Sequence, residues 1–329
     1  MWPTIKVEEQ QTLAGTTYYS DQDSTFGKWR KPTGIYLPPG TETNKGFVDI
    51  LLYLHGHLVS SAQQLFEADG VAVRKQVLAS GRNIVLVAPW LGRGPGQAYI
   101  DGVASLTGNW GELYIDDVLN ALAPPKLAKP DLYNTAAFVP AVRLRYLILA
   151  CHSGGGHAMR NLAGALGRYR SNLRACWGFD CLYGIEIRPD DANFWYEWSK
   201  TRYGRPLYIS YGSSTLYESV KLYLMKEGIV NGAGARWMTD GPTVDSIEVE
   251  IGIETGKYVD DVMELDKALL STTPKPGQPQ SQTSEFLDRV AGNVRRNAGW
   301  PKTNDASWEM HYRIARDGLL KQLKAAAYL

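Results

Sequence analysis

Short apolar runs alternate with helix-like patterns along most of this chain, and this alternation restricts the fold more than any other feature. The runs are continuously apolar, which is typical of parallel strands buried on both faces of a sheet. Strands that alternate with helices predict an α/β fold with a mostly parallel, doubly wound sheet. The predicted strands are Ile50–Leu54, Ile84–Ala88, Tyr146–Ala150, Ala175–Phe179 and Leu207–Tyr211, and the predicted helices are Ala62–Ala79, Gly111–Leu122, Gly155–Arg168 and Ser214–Glu227.

The first and last parts of the chain differ from this pattern. Thr17–Tyr19 and Ile35–Leu37 predict short strands that give the sheet an antiparallel N-terminal start. Ile247–Ile253 alternates apolar with other residues, which predicts a late strand nearer the sheet edge. Residues 271–284 are rich in Pro, Gln, Ser and Thr and predict an excursion rather than a domain boundary. We therefore expect residues 1–329 to form a single domain.

Composition excludes several classes of partner. A formal net charge of +1 provides no basic surface for nucleic acid. No apolar stretch approaches the roughly 20 residues that span a bilayer, so we expect no stable membrane insertion. The first residues lack the apolar core of a secretory signal, which favours a cytoplasmic location. The oligomeric state stays open.

The chain has three cysteines, Cys151, Cys176 and Cys181. We expect all three to be reduced and buried, as in most proteins of reducing compartments, although a Cys176–Cys181 disulfide stays open. No His or Cys cluster has the spacing of zinc ligands, so the sequence predicts no metal site.

Residues 146–156 are the strongest indication of chemistry. The sequence Tyr-Leu-Ile-Leu-Ala-Cys-His-Ser-Gly-Gly-Gly is an apolar run that ends near Ser153 and leads into a helical pattern. A strand, a sharp turn and a helix in this order expose a serine as a nucleophile. So tight a turn requires small residues two positions before and after the serine, here Cys151 and Gly155. A phosphate-binding loop is the alternative, but the Lys and the spacing of a P-loop are absent.

A second motif, Leu54-His55-Gly56-His57, follows an earlier apolar strand. With both motifs, the chain resembles the α/β-hydrolase family from about Thr17 to its C-terminus, although Cys151 departs from the usual G-x-S-x-G pattern. The resemblance implies an α/β-hydrolase fold and a serine hydrolase that needs no metal or organic cofactor. It also implies an oxyanion hole formed by the backbone N–H groups of His57 and Gly154. We interpret the imidazoles of His55 and His57 as turn side chains satisfied by backbone hydrogen bonds.

The resemblance also requires a histidine base, and the chain has five histidines. His152 and His157 lie beside the nucleophile or one turn into the following helix, and two more belong to the oxyanion turn. His311 remains, and it stands just before a predicted helix, Arg313–Leu323, where the family places its histidine. The order serine, acid, histidine also matches the family.

The acid is less sharply defined. The turn after Tyr211, where most of the family carries the acid, contains no Asp. Asp180 ends the preceding predicted strand, and some family members use that strand, so Asp180 is the predicted acid. The rivals that stay open are Glu218, Asp240 and Asp245.

Residues 183–206 are rich in aromatic side chains and lie where the family inserts a cap over the active site. We therefore predict a small cap insertion in which Trp195 and Trp198 contact substrate, with plain packing as the alternative. Trp110, in a Gly-flanked segment, is a third candidate for substrate contact. A membrane-binding role for this segment is disfavoured because no basic face accompanies it.

These residues together predict an esterase or lipase-like enzyme. Ser153 attacks a small-molecule carboxylic ester, His311 moves the proton, Asp180 orients His311, and water releases the acyl-enzyme. An amidase, a peptidase or a thioesterase would use the same machinery. A ligand-binding member of the family without catalysis is the alternative from another class.

Overall fold

The computed structural model describes residues 14–19, 32–41, 46–56, 59, 61–67, 71–92, 110–122, 142–182, 191–199, 207–211, 222, 247–251 and 304–326. These residues belong to two compact units. One unit comprises residues 1–177 and 319–329, and the other comprises residues 178–318.

The strands of the first unit follow the order β1-β2-β4-β3-β5-β6. The first two pairings, β1 with β2 and β2 with β4, are antiparallel, whereas β3 is parallel to both β4 and β5. The antiparallel start and the parallel centre were both predicted. The strands are β1 (Thr16–Tyr19), β2 (Thr33–Leu37), β3 (Phe47–Leu54), β4 (Val85–Pro89), β5 (Arg143–His152) and β6 (Leu173–Phe179). The last two residues of β6 belong to the second unit.

Strands β3 and β5 bring two loops to one edge of this sheet. Every residue of β3 except Phe47 is buried, as expected for a central strand covered on both faces. Leu54 pairs in register with Cys151. Since the strands are parallel, the residues after Leu54 and the residues after His152 leave the sheet at the same edge.

The helices of the first unit correct one prediction. Ala62–Ala79 is wrong as a single helix, because the structure has α1 (Ala62–Glu67) and α2 (Val73–Ser80). The sequence Asp69-Gly70 is a turn signal, and Ala72 has a left-handed φ of 51°, which a continuous helix does not allow. The other helical elements are α3 (Trp110–Leu122), α4 (Gly155–Gly164) and a short 3₁₀ helix (Gly167–Asn172).

The second unit contains the end of β6, β7 (Leu207–Tyr211), β8 (Ile247–Ile251) and α5 (Asp191–Ser199). Strand β7 is parallel to β8, which is the last strand in the order, as predicted for an edge. Helix α6 (Asn304–Ala325) belongs to this unit as far as Gly318. The predicted helix 214–227, apart from residue 222, and the excursion 271–284 lie outside the described residues.

The strand directions and the helices between strands confirm the predicted α/β class with a mostly parallel sheet. Residues 191–199 are the described part of the predicted cap, and the cap and the single-domain assignment stay predictions. The three cysteines are buried free thiols. Among the described residues, no helix is long and apolar enough to cross a membrane, and no group of three or more His, Cys, Asp or Glu side chains could hold a metal ion.

Candidate active site

Ser153 occupies a strained turn between β5 and α4. Its φ is 53°, in the left-handed region that non-glycine residues seldom adopt. The N–H of Gly156 donates to the carbonyl oxygen of Ser153 at 3.0 Å, which closes the turn. Gly154 is the N-cap of α4, so the serine stands at a helix N-terminus, where negative charge is favoured. This is the predicted strand–turn–helix geometry of a nucleophilic serine.

Gly155 has to be glycine because of the backbone of β3. A Cβ added there would overlap the carbonyl oxygen of Leu54 and lie 2.8 Å from the carbonyl oxygen of His55. Two residues before the serine, Cys151 is fully buried in β5. The requirement for a small residue after the serine is therefore a direct consequence of how closely α4 approaches the end of β3.

Gly56 brings the loop after β3 against the serine side chain. A Cβ at this position would lie 2.5 Å from Ser153 Cβ and 3.0 Å from Ser153 Oγ. The predicted oxyanion donor, the N–H of His57, belongs to the peptide that begins at Gly56, but His57 lies outside the described residues. The close approach of Gly56 shows that the loop after β3 lies against the side chain of Ser153.

The imidazole of His55 is engaged by backbone groups on both nitrogens. Its Nε2 accepts the N–H of Leu91 at 2.7 Å, and its Nδ1 lies 2.6 Å from the carbonyl oxygen of Gly56. Because Nε2 accepts, Nδ1 must carry the ring proton and donate it to Gly56. The prediction that His55 is a turn residue satisfied by backbone hydrogen bonds is confirmed, and its proton is directed at the peptide that precedes His57.

The second unit brings Asp180 and His311 together. Nδ1 of His311 lies 2.6 Å from Oδ2 of Asp180, and the two residues are 8% and 1% exposed. Since an ionised carboxylate can only accept, Nδ1–H of His311 is the donor, which leaves Nε2 as the nitrogen that can take up a proton. This is the tautomer that a general-base histidine requires.

Asp180 is held in an unusual backbone conformation just past the end of β6. Its φ is 46°, and its N–H donates to the carbonyl oxygen of Ser210 on β7 at 2.6 Å. A left-handed residue directly after a strand turns its side chain out of the regular alternation of the strand. The backbone conformation of Asp180 and its hydrogen bond to Ser210 therefore set the direction of the carboxylate independently of His311.

The location of His311 corrects a second prediction. The sequence predicted a helix from Arg313, with His311 ahead of it, whereas α6 begins at Asn304 and contains His311. Residues 304–312 contain neither Pro nor Gly, and Ala306 and Glu309 favour a helix. The histidine is consequently carried by a regular helix rather than by a loop.

The three tryptophans that were predicted to contact substrate lie in two different helices. Trp195 and Trp198 are buried in α5, and their rings meet edge to face with centroids 5.4 Å apart. Phe194 meets Trp195 in the same way at 5.0 Å. These contacts describe an aromatic packing cluster, and substrate contact stays a prediction. Trp110 is the first residue of α3.

The rival acids Glu218, Asp240 and Asp245 lie outside the described residues. Sequence reasoning missed the roles of three residues that the structure places beside the site residues. Gly56 contacts Ser153, Ser210 accepts the N–H of Asp180, and Gly318 of α6 packs on Phe179. A glycine inside the strongly helical stretch 313–323 was the one available signal of such a close approach.

Chain order connects these pieces. Along the chain, the strained serine follows β5, the carboxylate follows β6, and the histidine lies in the last described helix. The described strands are mostly parallel, with an antiparallel start. The chain has the α/β-hydrolase fold.

Comparisons with known proteins add distant likenesses. No protein-family model and no curated protein sequence matches the chain. Among solved structures, an S-formylglutathione hydrolase from Agrobacterium tumefaciens is 15% identical, with a TM-score of 0.43, and the match covers 90% of this chain and all of that chain. A fungal esterase from Rhizomucor miehei is 10% identical, with a TM-score of 0.43, and the match covers 90% of this chain and 85% of that one.

A ferulic acid esterase is 15% identical, with a TM-score of 0.42, and the match covers 73% of this chain and 90% of that one. At such low identity and TM-score, the function has to be inferred from the geometry of the site.

Proposed function

We propose that this protein is a serine hydrolase that cleaves a small-molecule carboxylic ester through an acyl-enzyme intermediate. The observation that carries the proposal is the strained turn at Ser153, with φ of 53° at the N-terminus of α4 and Gly56 packed against the side chain. Strain of this kind persists where the surrounding structure enforces it, most often at functional sites. The buried Asp180–His311 hydrogen bond supplies the base that a serine nucleophile needs.

In the proposed acylation step, Oγ of Ser153 attacks the carbonyl carbon while its proton passes to Nε2 of His311. Asp180 accepts the Nδ1–H of His311, so it fixes the tautomer and stabilises the imidazolium. The imidazolium then returns the proton to the leaving alkoxide, which departs as the alcohol. The acyl group remains on Ser153 as an ester.

The tetrahedral intermediate carries its negative charge on the former carbonyl oxygen. We assign the backbone N–H groups of His57 and Gly154 as its donors, and the N-terminus of α4 adds favourable potential. Donors of this kind, when preorganised, contribute roughly 3–4 kcal/mol in the transition state. His55 supports this arrangement because its Nδ1–H fixes the carbonyl of Gly56, at the other side of the peptide whose N–H belongs to His57.

Deacylation repeats the same chemistry with water. His311 takes a proton from water, the resulting hydroxide attacks the acyl carbon, and the proton returns to Oγ of Ser153 as the carboxylic acid leaves. Every atom of this cycle comes from the ester, water and the three side chains.

A fluorophosphonate probe tests the nucleophile directly. We expect one adduct, located on Ser153 by peptide mass spectrometry, and none in Ser153→Ala. Ser80→Ala is the matched control and should label like the wild type, because the hydrogen bonds of Ser80 are local to the end of α2: its hydroxyl donates to the carbonyl oxygen of Val77 and accepts the N–H of Arg82. Folded protein that neither labels at Ser153 nor hydrolyses p-nitrophenyl esters would exclude the enzyme and favour the ligand-binding alternative.

A matched substrate panel tests the leaving group. A p-nitrophenyl ester, a p-nitroanilide and a thioester with the same acyl group should rank with the ester highest in kcat/KM. A higher kcat/KM for the anilide or the thioester would replace the ester assignment while leaving the nucleophile in place.

A further inference from the structure

Gly318 lies inside α6, seven residues beyond His311. Seven residues make about two turns, so both residues lie on one face of the helix. Glycine weakens a helix interior relative to alanine. Its presence in the interior of α6 therefore needs a structural reason.

The reason is the ring of Phe179. A Cβ added at Gly318 would lie 2.7 Å from Cε1 and 2.9 Å from Cδ1 of that ring. Phe179 is fully buried and packs against Tyr208 of β7, with ring centroids 5.9 Å apart. The ring is therefore confined, and only glycine lets the backbone of α6 approach it this closely.

Phe179 directly precedes Asp180, and both side chains reach the same helix. Neighbouring residues of a regular strand point to opposite faces. The left-handed φ of Asp180 removes that alternation at the end of β6, so the Phe179 ring meets Gly318 while the Asp180 carboxylate meets His311. Helix α6 is thus seated on two consecutive residues, once by packing and once by a hydrogen bond.

We propose that Gly318 is a positioning residue that sets the separation between Nδ1 of His311 and Oδ2 of Asp180. Any side chain at position 318 pushes α6 away from Phe179 and lengthens or misaligns that hydrogen bond. The geometric part stands on these contacts alone, and its catalytic consequence rests on the proposed hydrolase function.

The decisive variants are Gly318→Ala, Phe179→Leu and the two combined. The readouts are the downfield Nδ1–H resonance of His311 in ¹⁵N-histidine-labelled protein, and kcat and KM for a p-nitrophenyl ester. In Gly318→Ala we expect this resonance to shift upfield or broaden, and kcat to fall by roughly tenfold to a hundredfold with little change in KM. Leu is smaller and more flexible than Phe and lacks Cε1, the ring atom nearest to the added Cβ, so the double variant should regain the resonance and part of kcat.

Gly164→Ala is the matched control, because Gly164 is also helical but has nothing within 4 Å of an added Cβ. It should leave the resonance and kcat unchanged. A folded Gly318→Ala variant with the wild-type resonance would overturn the proposal. If Gly318→Ala does not fold, the double variant is compared with Phe179→Leu, and loss of the resonance in the double variant alone would refute the ring contact as the cause.

The resonance is measured without substrate, so the positioning role and the proposed function can fail separately. A resonance that responds as expected in a protein without any ester turnover supports the positioning of His311 and rejects the proposed ester hydrolysis. Ester turnover by a Gly318→Ala variant with an intact resonance supports the proposed ester hydrolysis and rejects the positioning role of Gly318.

Discussion

The Nδ1–H of His311 donates to Oδ2 of Asp180 at 2.6 Å, and the backbone N–H of Asp180 donates to Ser210 at the same distance. The carboxylate therefore fixes the ring while a neighbouring strand fixes the carboxylate. We expect Asp180→Asn to lower kcat for a p-nitrophenyl ester by about 10³- to 10⁴-fold, because an amide favours the wrong histidine tautomer. Steady-state kinetics and circular dichroism on the same samples measure the loss and the fold.

The rival acids provide controls of equal chemistry. Glu218→Gln, Asp240→Asn and Asp245→Asn should each keep kcat within a few-fold of the wild type. If one of them abolishes turnover while Asp180→Asn does not, the acid is that residue.

A second prediction concerns the contact between Gly56 and Ser153. In Gly56→Ala the new methyl group would lie 2.5 Å from Ser153 Cβ, so the turn or the loop has to move. Because even a small displacement of a reacting group lowers the reaction rate strongly, we expect fluorophosphonate to label Ser153 at least about tenfold more slowly in Gly56→Ala than in the wild type. Gly164→Ala, where an added methyl meets nothing within 4 Å, should label at the wild-type rate. Equal labelling rates for the two variants would contradict a functional contact at Gly56.

A third prediction concerns the two hydrogen bonds of His55. His55→Leu leaves the buried N–H of Leu91 and the buried carbonyl of Gly56 without this partner. Each such loss costs about 1–3 kcal/mol. Urea unfolding should show that decrease, and kcat should fall as well if the carbonyl orients the next peptide N–H. His55→Gln can donate and accept, so it should recover part of both quantities; wild-type stability and kcat in His55→Leu would disprove the role.

A fourth prediction follows from the buried thiols. Burial raises the pKa of the Cys176 thiol, and the neighbouring Cys151 thiol raises it further. The folded state therefore holds this proton more tightly than the unfolded state, whose thiol titrates near 9.0. Stability is unaffected below that pH and declines as the pH rises above it. Urea unfolding at pH 8 and at pH 10 measures the decline, which should be smaller in Cys176→Ala.

Burial also raises the pKa of the Tyr114 phenol, which adds to the decline only above its ordinary 10.0. The Cys176→Ala difference should therefore appear first, near pH 9. The same burial predicts that native protein reacts slowly with a thiol reagent and that all three free cysteines react after unfolding. Fast labelling of Cys176 in native protein at pH 7 would be incompatible with this environment.

The sequence predicted most of the local structure around the serine, and physical reasons explain what it missed. Continuous apolar runs located β3, β4 and β5, and the small residues around Ser153 located the turn, because both signals are local. The helix that carries His311 was predicted to begin too late, since no apolar stripe distinguishes residues 304–310. The break between α1 and α2 follows the turn signal Asp69-Gly70 and includes a left-handed residue, Ala72, which propensity alone does not single out.

Contacts between distant segments were beyond the sequence. The approach of Gly56 to Ser153, the N–H of Asp180 to Ser210, and the approach of Gly318 to Phe179 each join residues far apart in the chain or in neighbouring loops. A glycine contributes no side chain to the hydrophobic pattern of a sequence, and any residue can supply a backbone carbonyl as a hydrogen-bond acceptor. Apart from the glycine inside the helical stretch 313–323, such residues become visible only when the tertiary packing is known.

Three non-glycine residues of the described part of the chain have left-handed φ angles, namely Ala72, Ser153 and Asp180. Each conformation costs the fold of order 1–3 kcal/mol. Thermostability screens would therefore favour Ser153→Gly, which relaxes the backbone and abolishes the proposed chemistry. Ala72, between α1 and α2, offers the same gain without that loss. To raise the thermal stability of the protein, Ala72→Gly is the first substitution to make. In a heat-resistant but inactive clone, codon 153 should be sequenced first.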